Sequence, residues 1–214
     1  DRVVALSTDK ASNPVNLYGA TKLASDKLFC ASNSVESCNE TKFSVVRYGN
    51  VMGSRGSVIP FFLSLKSKNE FPITDPHMTR FMISLDDAVN LVWHAFGDMH
   101  GGEIYVKKIP SMKIIDIASV INPTAQIKTI GIRPGEKIHE QMIGLEDAEH
   151  TYEYSDYYKI LPAINGWSKD PKRIGAGKKV CNDFSYTSDK NEVWMSSQEL
   201  KNWIMNNEKL IGQM

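Results

Sequence analysis

The sequence predicts an α/β protein made of the carboxy-terminal half of a doubly wound, Rossmann-like parallel sheet and a smaller α/β domain. Two observations predict this fold. An apolar, partly β-branched run opens the chain, and a helical pattern and a second apolar run follow, which is typical of two buried parallel strands joined by a helix. After Pro110 the elements become shorter. We therefore expect one domain over residues 1–110 and another over residues 111–214.

The first domain contains the elements of the expected parallel sheet. In chain order they are a strand at 2–6, a helix at about 17–31 capped by Asn16, a strand at 43–48, a helix from Ser84 to Phe96 with a capping pattern at its start, and a strand at 103–106. The first three form a strand–helix–strand unit, whose crossover should be right-handed.

The second domain is predicted from shorter patterns separated by proline and glycine. In order, we expect a helix at 112–121, a strand at 126–132, a helix after Pro134, an extended segment at 151–160, and a final helix capped by Ser196 and Glu199. Residues 166–190 are polar and basic, and we expect them to run over the surface.

The composition excludes several classes of function. Lys plus Arg and Asp plus Glu both number 25, so no net field favours nucleic acid or an anionic membrane as a partner. No apolar run approaches the roughly 20 residues of a membrane span. The cysteines, Cys30, Cys38 and Cys181, lack paired ligand spacing, and no HExxH motif is present. We therefore expect a cytoplasmic protein with reduced thiols and no bound metal.

The chain has no GxGxxG turn, the element that carries a dinucleotide pyrophosphate. Two glycine-rich segments, residues 49–56 and 175–179, lack that spacing and are predicted to be ordinary loops. The sequence begins with Asp1 directly before a strand. We therefore expect the chain to be the later part of a longer protein.

A cluster of reactive side chains follows the first strand. Tyr18 and Lys22 lie four residues apart and should project from one face of the predicted helix. A phenol is a poor base near neutral pH, and a neighbouring ammonium group favours its phenolate form. Asp9 and Lys10 add an acid and a base. The alternative interpretation is structural: a half-buried tyrosine, a capping carboxylate and solvated lysines.

Several segments together resemble the 5-inverting UDP-N-acetylglucosamine 4,6-dehydratases, which are extended short-chain dehydrogenases/reductases. These segments are STDKASNPVNLYGATKLASDKLF, RYGNVMGSRGSVIPFF, FPITDPHMTRFMISLDDAV, MHGGEIYVKKIPSMKI and GIRPGEKIHE. The resemblance covers nearly the whole chain. It is strongest to the bacterial branch that begins pseudaminic acid synthesis for flagellin glycosylation.

The resemblance implies an NADP-dependent lyase acting on UDP-N-acetylglucosamine. It implies oxidation at sugar carbon 4, loss of water across carbons 5 and 6, return of hydride to carbon 6 and reprotonation of carbon 5 from the opposite face. Catalysis would fall to Asp9, Lys10 and Tyr18, with Lys22 on the nicotinamide ribose and Thr8 in the hydroxyl position. We expect Lys10 to move the carbon 5 proton, although the division of roles with Asp9 stays open.

The resemblance also implies sugar-nucleotide contacts. Besides Lys10 these are Asn50, Arg80, Arg133 and Glu136, and residues 51–80 would contribute to the substrate site. Guanidinium groups bind diphosphate in bidentate fashion, and a carboxylate accepts hydrogen bonds from ribose hydroxyls. The structural alternatives are a turn at Pro134 flanked by a surface ion pair, a solvated Arg80 and a turn residue at Asn50.

Two other functions stay open at this stage. A UDP-sugar 4-epimerase needs only the tyrosine and lysine, although the Thr8–Asp9–Lys10 triplet argues against it. A non-catalytic UDP-binding fragment would keep the nucleotide contacts alone. The resemblance further implies a homo-oligomer. The preference for NADP over NAD belongs to a segment that this chain lacks.

Overall fold

The predicted strand–helix–strand unit begins the chain. The structure is a computed structural model that describes residues 1–35, 40–68 and 70–212, so Cys38 lies outside the described residues. Its strands and helices in chain order are β1 (Arg2–Thr8), α1 (Leu17–Ser32), β2 (Lys42–Tyr48), β3 (Asn50–Val51), α2 (Val58–Ser64), β4 (Glu70–Ile73), β5 (Thr79–Ile83), α3 (Leu85–Asp98), β6 (Ile104–Lys107), β7 (Ser111–Lys113), α4 (Ile114–Ile121), β8 (Gln126–Thr129), β9 (Gln141–Ile143), α5 (Leu145–Ala148), β10 (Thr151–Glu153), β11 (Tyr157–Ile160), α6 (Pro171–Ile174), β12 (Lys178–Lys179), β13 (Tyr186–Thr187) and α7 (Ser197–Asn207).

The chain forms two compact units that alternate along the sequence. The first unit contains Asp1–Tyr48, Asp86–Lys108 and Gln141–Thr187, and the second contains Gly49–Leu85, Ile109–Glu140 and Ser188–Met214. The predicted assignment of residues 1–110 to a nucleotide-binding domain and of residues 111–214 to a substrate domain stays a prediction, because compactness does not say what a unit binds.

The first unit is organised around a six-stranded sheet of order β1-β2-β6-β11-β10-β12. β1, β2 and β6 are parallel neighbours, and β11, β10 and β12 continue the sheet in antiparallel fashion. Between the sheet and α3, the buried residues Val46, Leu91, Ala95, Met99 and Tyr105 form an apolar cluster. Parallel strands with a helical crossover confirm the predicted α/β fold class.

Among its described residues, the second unit contains smaller sheets and the helices α2, α4 and α7. β3, β5 and β7 form one sheet, and β4 pairs with β8 in a parallel ribbon. Its core includes Phe62 and Phe71, whose rings stack with centroids 5.1 Å apart, together with Ile117 and Leu200. The last helix, α7, begins with the predicted capping box, in which Ser196 and Glu199 satisfy each other's backbone amides.

Three local predictions were wrong. Residues 130–140 contain no helix, because Pro134 and Gly135 form a turn with Gly135 at φ 82°. The helix expected from residue 112 begins at Ile114, since Ser111–Lys113 pairs with β5 as β7. Residues 166–190 are not only a surface excursion: they supply β12, β13 and α6, and Arg173 is 7% exposed.

Within the described part of the chain, no helix combines the length and the apolar character that crossing a membrane requires.

Candidate functional site

A hydrogen-bonded triplet lies where β1 ends. Thr8 Oγ1 donates to Asp9 Oδ1 at 2.9 Å, and Lys10 Nζ lies 3.0 Å from the same carboxylate oxygen. Thr8 also caps the short 3-10 helix Asp9–Ala11 by accepting a hydrogen bond from the Lys10 amide. Polar groups at the carboxyl end of a parallel strand are where ligands of such sheets gather. The structure therefore brings the predicted Thr8, Asp9 and Lys10 together in one place.

The two charged members of this triplet differ in exposure. The Asp9 side chain is 0% exposed, whereas that of Lys10 is 34% exposed. Asp9 Oδ1 accepts both donors, and Asp9 Oδ2 has no hydrogen-bond partner among the described residues. Lys10 is therefore the member of the pair that is accessible from outside its unit.

Helix α1 carries the other two predicted catalytic-site residues of the first unit. The Asn16 side chain caps it by accepting a hydrogen bond from the Gly19 amide at 2.8 Å. Tyr18 is 53% exposed, and Lys22 Nζ donates to the Leu6 carbonyl oxygen at 3.0 Å. Lys22 therefore contacts β1, the strand whose carboxyl end carries the Thr8–Asp9–Lys10 triplet.

Two residues that sequence reasoning missed belong to this site. Gly19 lies so close to the Lys10 carbonyl oxygen and to Pro14 that a side chain there would overlap them. Burial, followed by the neighbouring Tyr18 phenol, raises the pKa of Tyr48. Since Tyr48 is the last residue of β2 and pairs with Thr8, its position at the carboxyl end of a parallel strand was the available signal.

A cavity of about 360 Å³ lies within the second unit and gathers four of the five predicted sugar-nucleotide residues, whereas the fifth, Lys10, belongs to the first unit. Asn50, Arg80, Arg133 and Glu136 line it together with an apolar set that includes Phe61, Phe62, Pro72, Ile73, Met78 and Ile114. These four polar residues are separated by as many as 86 positions in the sequence. The fold of this unit therefore creates a single polar and apolar pocket from dispersed residues.

Arg80 makes several contacts inside this unit. Its Nη1 donates to the carbonyl oxygens of Thr79 at 2.7 Å and Ile138 at 3.0 Å, and its Nη2 donates to that of Lys137 at 3.0 Å. Its Nε lies 3.6 Å from Glu140 Oε1, and the side chain is 11% exposed. Arg80 therefore holds the backbone that follows Glu136.

Arg133 is much more exposed to solvent than Arg80. Its side chain is 65% exposed, and its Nε lies 3.4 Å from Glu136 Oε1. The turn at Gly135 brings these two residues together, and the Arg133 amide also donates to Glu136 Oε2 at 3.5 Å. The predicted turn and ion pair are present, and the same two residues also line the cavity.

Metal ligation has no support in the described ranges 1–35, 40–68 and 70–212. No group of three or more His, Cys, Asp or Glu side chains in them is arranged to hold a metal ion.

The parallel sheet, the polar end of β1 and the tyrosine–lysine helix define a Rossmann-like α/β protein. The model of a family described as polysaccharide biosynthesis protein matches residues 1–162, and the chain belongs to that family.

A relative from Campylobacter jejuni serotype O:2, named UDP-N-acetylglucosamine 4,6-dehydratase (inverting), is 55% identical over 206 residues. This match covers 93% of the present chain and 62% of the relative. A Rickettsia massiliae protein named UDP-glucose 4-epimerase is 43% identical over 209 residues, which cover 95% of this chain and 61% of that protein. The chain thus spans less than two thirds of the length of these relatives.

A crystal structure of Pen from Bacillus thuringiensis is similar with a TM-score of 0.83 and 33% sequence identity. The similarity covers 97% of this chain and 63% of that one. The fold described above is therefore shared with an experimentally determined structure.

Proposed function

We propose that the protein containing this chain is an inverting UDP-N-acetylglucosamine 4,6-dehydratase that uses NADP. The observation that carries the proposal is the Thr8–Asp9–Lys10 triplet, in which an ammonium group and a carboxylate lie 3.0 Å apart at the end of β1. An oxidoreductase that only moves hydride needs no such pair, whereas removal of water needs an acid and a base. The name of the Campylobacter relative supports the same reaction.

The residues present fit a nicotinamide cofactor. Lys22 uses one of its three ammonium protons on the Leu6 carbonyl oxygen, which leaves two for ribose hydroxyls. Tyr18, which is half exposed, is accessible to a ligand at the carboxyl end of the parallel strands. When bound, the nicotinamide would supply reversible hydride transfer. We assign NADP rather than NAD on the resemblance of the sequence.

We assign proton transfers to three side chains of this chain. Tyr18 accepts the proton of the sugar hydroxyl at carbon 4; with the carbon 4 hydride taken up by a bound nicotinamide, this carbon would become a ketone, which acidifies the hydrogen on carbon 5. Lys10, the more exposed member of its pair, moves the carbon 5 proton. On the resemblance of the sequence we assign Asp9, whose carboxylate lies 3.0 Å from the Lys10 ammonium, as the acid for the hydroxyl leaving carbon 6.

The cavity of the second unit is our candidate for the UDP moiety. The exposed guanidinium of Arg133 suits a diphosphate, and the Glu136 carboxylate suits ribose hydroxyls. Asn50 offers an amide to the same ligand, and the apolar wall suits the uracil ring. Arg80 lines the same cavity and holds the backbone after Glu136 through its hydrogen bonds. We therefore assign Arg80 a structural role in the pocket in addition to a ligand contact.

The test uses the protein at the full length of its relatives, incubated with UDP-N-acetylglucosamine in deuterated water. The expected product is a 4-keto-6-deoxy-L-hexose nucleotide that carries deuterium at carbon 5, because the base exchanges its proton with solvent. Product without deuterium at carbon 5 would refute the mechanism. A Lys10→Met variant should lose turnover and keep UDP affinity, and an unchanged rate would remove Lys10 from the mechanism.

The second candidate is a UDP-sugar 4-epimerase, which the name of the Rickettsia relative favours. Tyr18 and Lys22 alone would support it. Formation of UDP-N-acetylgalactosamine without loss of water in the same incubation would establish the epimerase.

Binding of UDP in a calorimeter, with no NADP binding and no turnover at full length, would instead indicate a non-catalytic UDP-binding module. Elution as a monomer at micromolar concentration would contradict the homo-oligomer that we also propose.

A further inference from the structure

A third polar residue lies on the same face of α1 as Tyr18 and Lys22. Asp26 lies four residues beyond Lys22 on α1, so the three side chains share one face of the helix. Unlike half-exposed Tyr18, Asp26 is 1% exposed. The helix therefore presents its amino-terminal residues to the candidate site and inserts a carboxylate into the interior of its own unit.

The Asp26 carboxylate is bound to a buried arginine on the neighbouring strand. Arg47 on β2 is 2% exposed, and its Nη2 lies 3.0 Å from Asp26 Oδ2. Arg47 Nη1 also donates to the Met142 carbonyl oxygen at 2.6 Å and lies 3.5 Å from Asp147 Oδ2. One guanidinium group thus connects α1 to β2, β9 and α5.

Arg47 lies on the strand next to β1, close in register to the candidate site. It pairs with Ser7, the residue before Thr8, in the parallel register of β1 and β2. The Asp26–Arg47 pair therefore fixes α1 against the strands one step before the Thr8–Asp9–Lys10 triplet begins.

The pair is an inefficient way to stabilise a fold. Asp26 Oδ1 and Arg47 Nε are buried without hydrogen-bond partners among the described residues. Removing two charges from water costs free energy that an incompletely bonded pair does not fully recover, and apolar side chains of similar size often serve stability as well or better. By contrast, both oxygens of buried Glu103 accept two donors each, from Ser44, Arg173 and the amides of His100 and Gly101.

We propose that Asp26 and Arg47 are positioning residues, which fix the rotation of α1 about its axis and so orient Tyr18 and Lys22 toward the end of β1. Directional hydrogen bonds define one rotation, whereas apolar packing tolerates several. The predicted effect on turnover rests on the proposed dehydratase function. The effect on the helix itself does not.

The main test replaces the pair with apolar side chains of similar size in the double variant Asp26→Leu/Arg47→Met of the full-length protein. We expect the melting temperature to fall by no more than about 10 °C, because the buried Met142 carbonyl oxygen loses its Arg47 donor while the apolar side chains compensate for the lost pair. We also expect kcat to fall roughly 10- to 100-fold through misplacement of the reacting groups, with KM for the UDP-sugar within about threefold. The matched control replaces the partly exposed pair Lys108–Glu153 of the same unit, whose side chains are 26% and 44% exposed, by Met and Leu, and should change neither value.

A conservative variant separates positioning from charge. Asp26→Asn keeps an oxygen that accepts the Arg47 hydrogen bond and should retain kcat within about threefold, provided that the variant melts near the parent. A double variant with unchanged kcat, or one that loses activity only in proportion to lost folded protein, would overturn the proposal.

Hydrogen exchange provides a readout that does not need activity. In the double variant, backbone amides of residues 17–29 should exchange at least about tenfold faster, while those of β2 keep their protection. Unchanged exchange in α1 would refute the positioning role even if the double variant has lost activity. If the parent protein shows no dehydratase turnover, the proposed function fails, and the exchange result still decides the role of Asp26 and Arg47.

Discussion

Gly19 lies directly against the backbone carbonyl of Lys10, so closely that a methyl group on Gly19 would overlap that oxygen. The first turn of α1 is thereby held against the 3-10 helix that contains Asp9 and Lys10. This contact explains why a glycine follows Tyr18 inside a helix, where glycine is otherwise unfavourable. The position of Tyr18 therefore depends on the absence of a side chain at residue 19.

The first prediction concerns this close approach. Gly19→Ala should destabilise the protein by about 1–3 kcal/mol, because the backbone has to move apart to admit the methyl group. It should also lower kcat, since α1 carries Tyr18. The measurements are urea unfolding and steady-state kinetics. Gly97→Ala is the matched control: Gly97 is also helical, has open space around its Cβ position, and should gain up to about 1 kcal/mol. Equal effects of the two substitutions would contradict the argument.

The second prediction separates the two arginines of the cavity. Arg133→Ala should weaken UDP binding roughly 5- to 50-fold, as expected for loss of a charge-assisted contact, with little change in melting temperature because the side chain is 65% exposed. Arg80→Ala should lower the melting temperature as well, since it removes the guanidinium hydrogen bonds to the carbonyl oxygens of Lys137 and Ile138, of which the Ile138 oxygen keeps the Thr79 amide as a donor. Calorimetry with UDP and thermal unfolding measure both. If Arg133→Ala binds UDP like the parent, the diphosphate assignment is wrong.

The third prediction concerns alkaline stability. Burial, and then the charge of Asp98, raises the pKa of Tyr157 to about 12 from an ordinary value near 10. A group with a raised pKa in the folded state contributes stability that is complete below pH 10 and is lost as the pH rises toward 12. The melting temperature should therefore fall over this interval, and less steeply in Tyr157→Phe. The two proteins should show parallel profiles between pH 6 and pH 9. A Tyr157→Phe variant with an equally steep alkaline fall would refute this assignment.

The fourth prediction distinguishes two thiols. Burial, and then the Asp26 carboxylate, raises the pKa of Cys30 to about 12, so its reactive thiolate is scarce at pH 8. Cys181 is exposed, although a hydrogen bond with Asp183 also raises its pKa. Iodoacetamide should therefore modify Cys181 at least roughly tenfold faster than Cys30 in the folded protein, as followed by peptide mass spectrometry. In concentrated urea the difference should disappear. Rapid labelling of folded Cys30 would show that α1 opens readily.

Local sequence patterns predicted most elements of the first unit. The strand before Thr8, the Asn16 cap and the four-residue spacing of Tyr18 and Lys22 all depend on neighbours within a few positions, and each is present. The strand is mostly half-buried, however, and not buried as its apolar residues predicted, since Leu6 is 50% exposed. The same holds for the capping box at Ser196 and Glu199. The residues at the end of β1 could be predicted as a group because they follow one another in the chain.

Predictions became wrong where distant contacts override local pattern. The helix expected after Pro134 does not form, because the Gly135 turn comes first and Arg80 takes the carbonyl oxygens of Lys137 and Ile138. Arg173 looked like one of several solvated charges in a basic segment. In the structure it is buried against Glu103. No periodicity in the sequence reports such partners.

The sequence by itself determined the class of fold, the order of its early elements and the chemical character of the end of β1, since these follow from short-range spacing and residue type. Only the tertiary structure decided that Asn50, Arg80, Arg133 and Glu136 line one cavity and that Asp26 meets Arg47. The physical reason is that these associations arise from strand pairing and packing between segments far apart in the chain. The free energy of such contacts depends on the whole fold rather than on neighbouring residues.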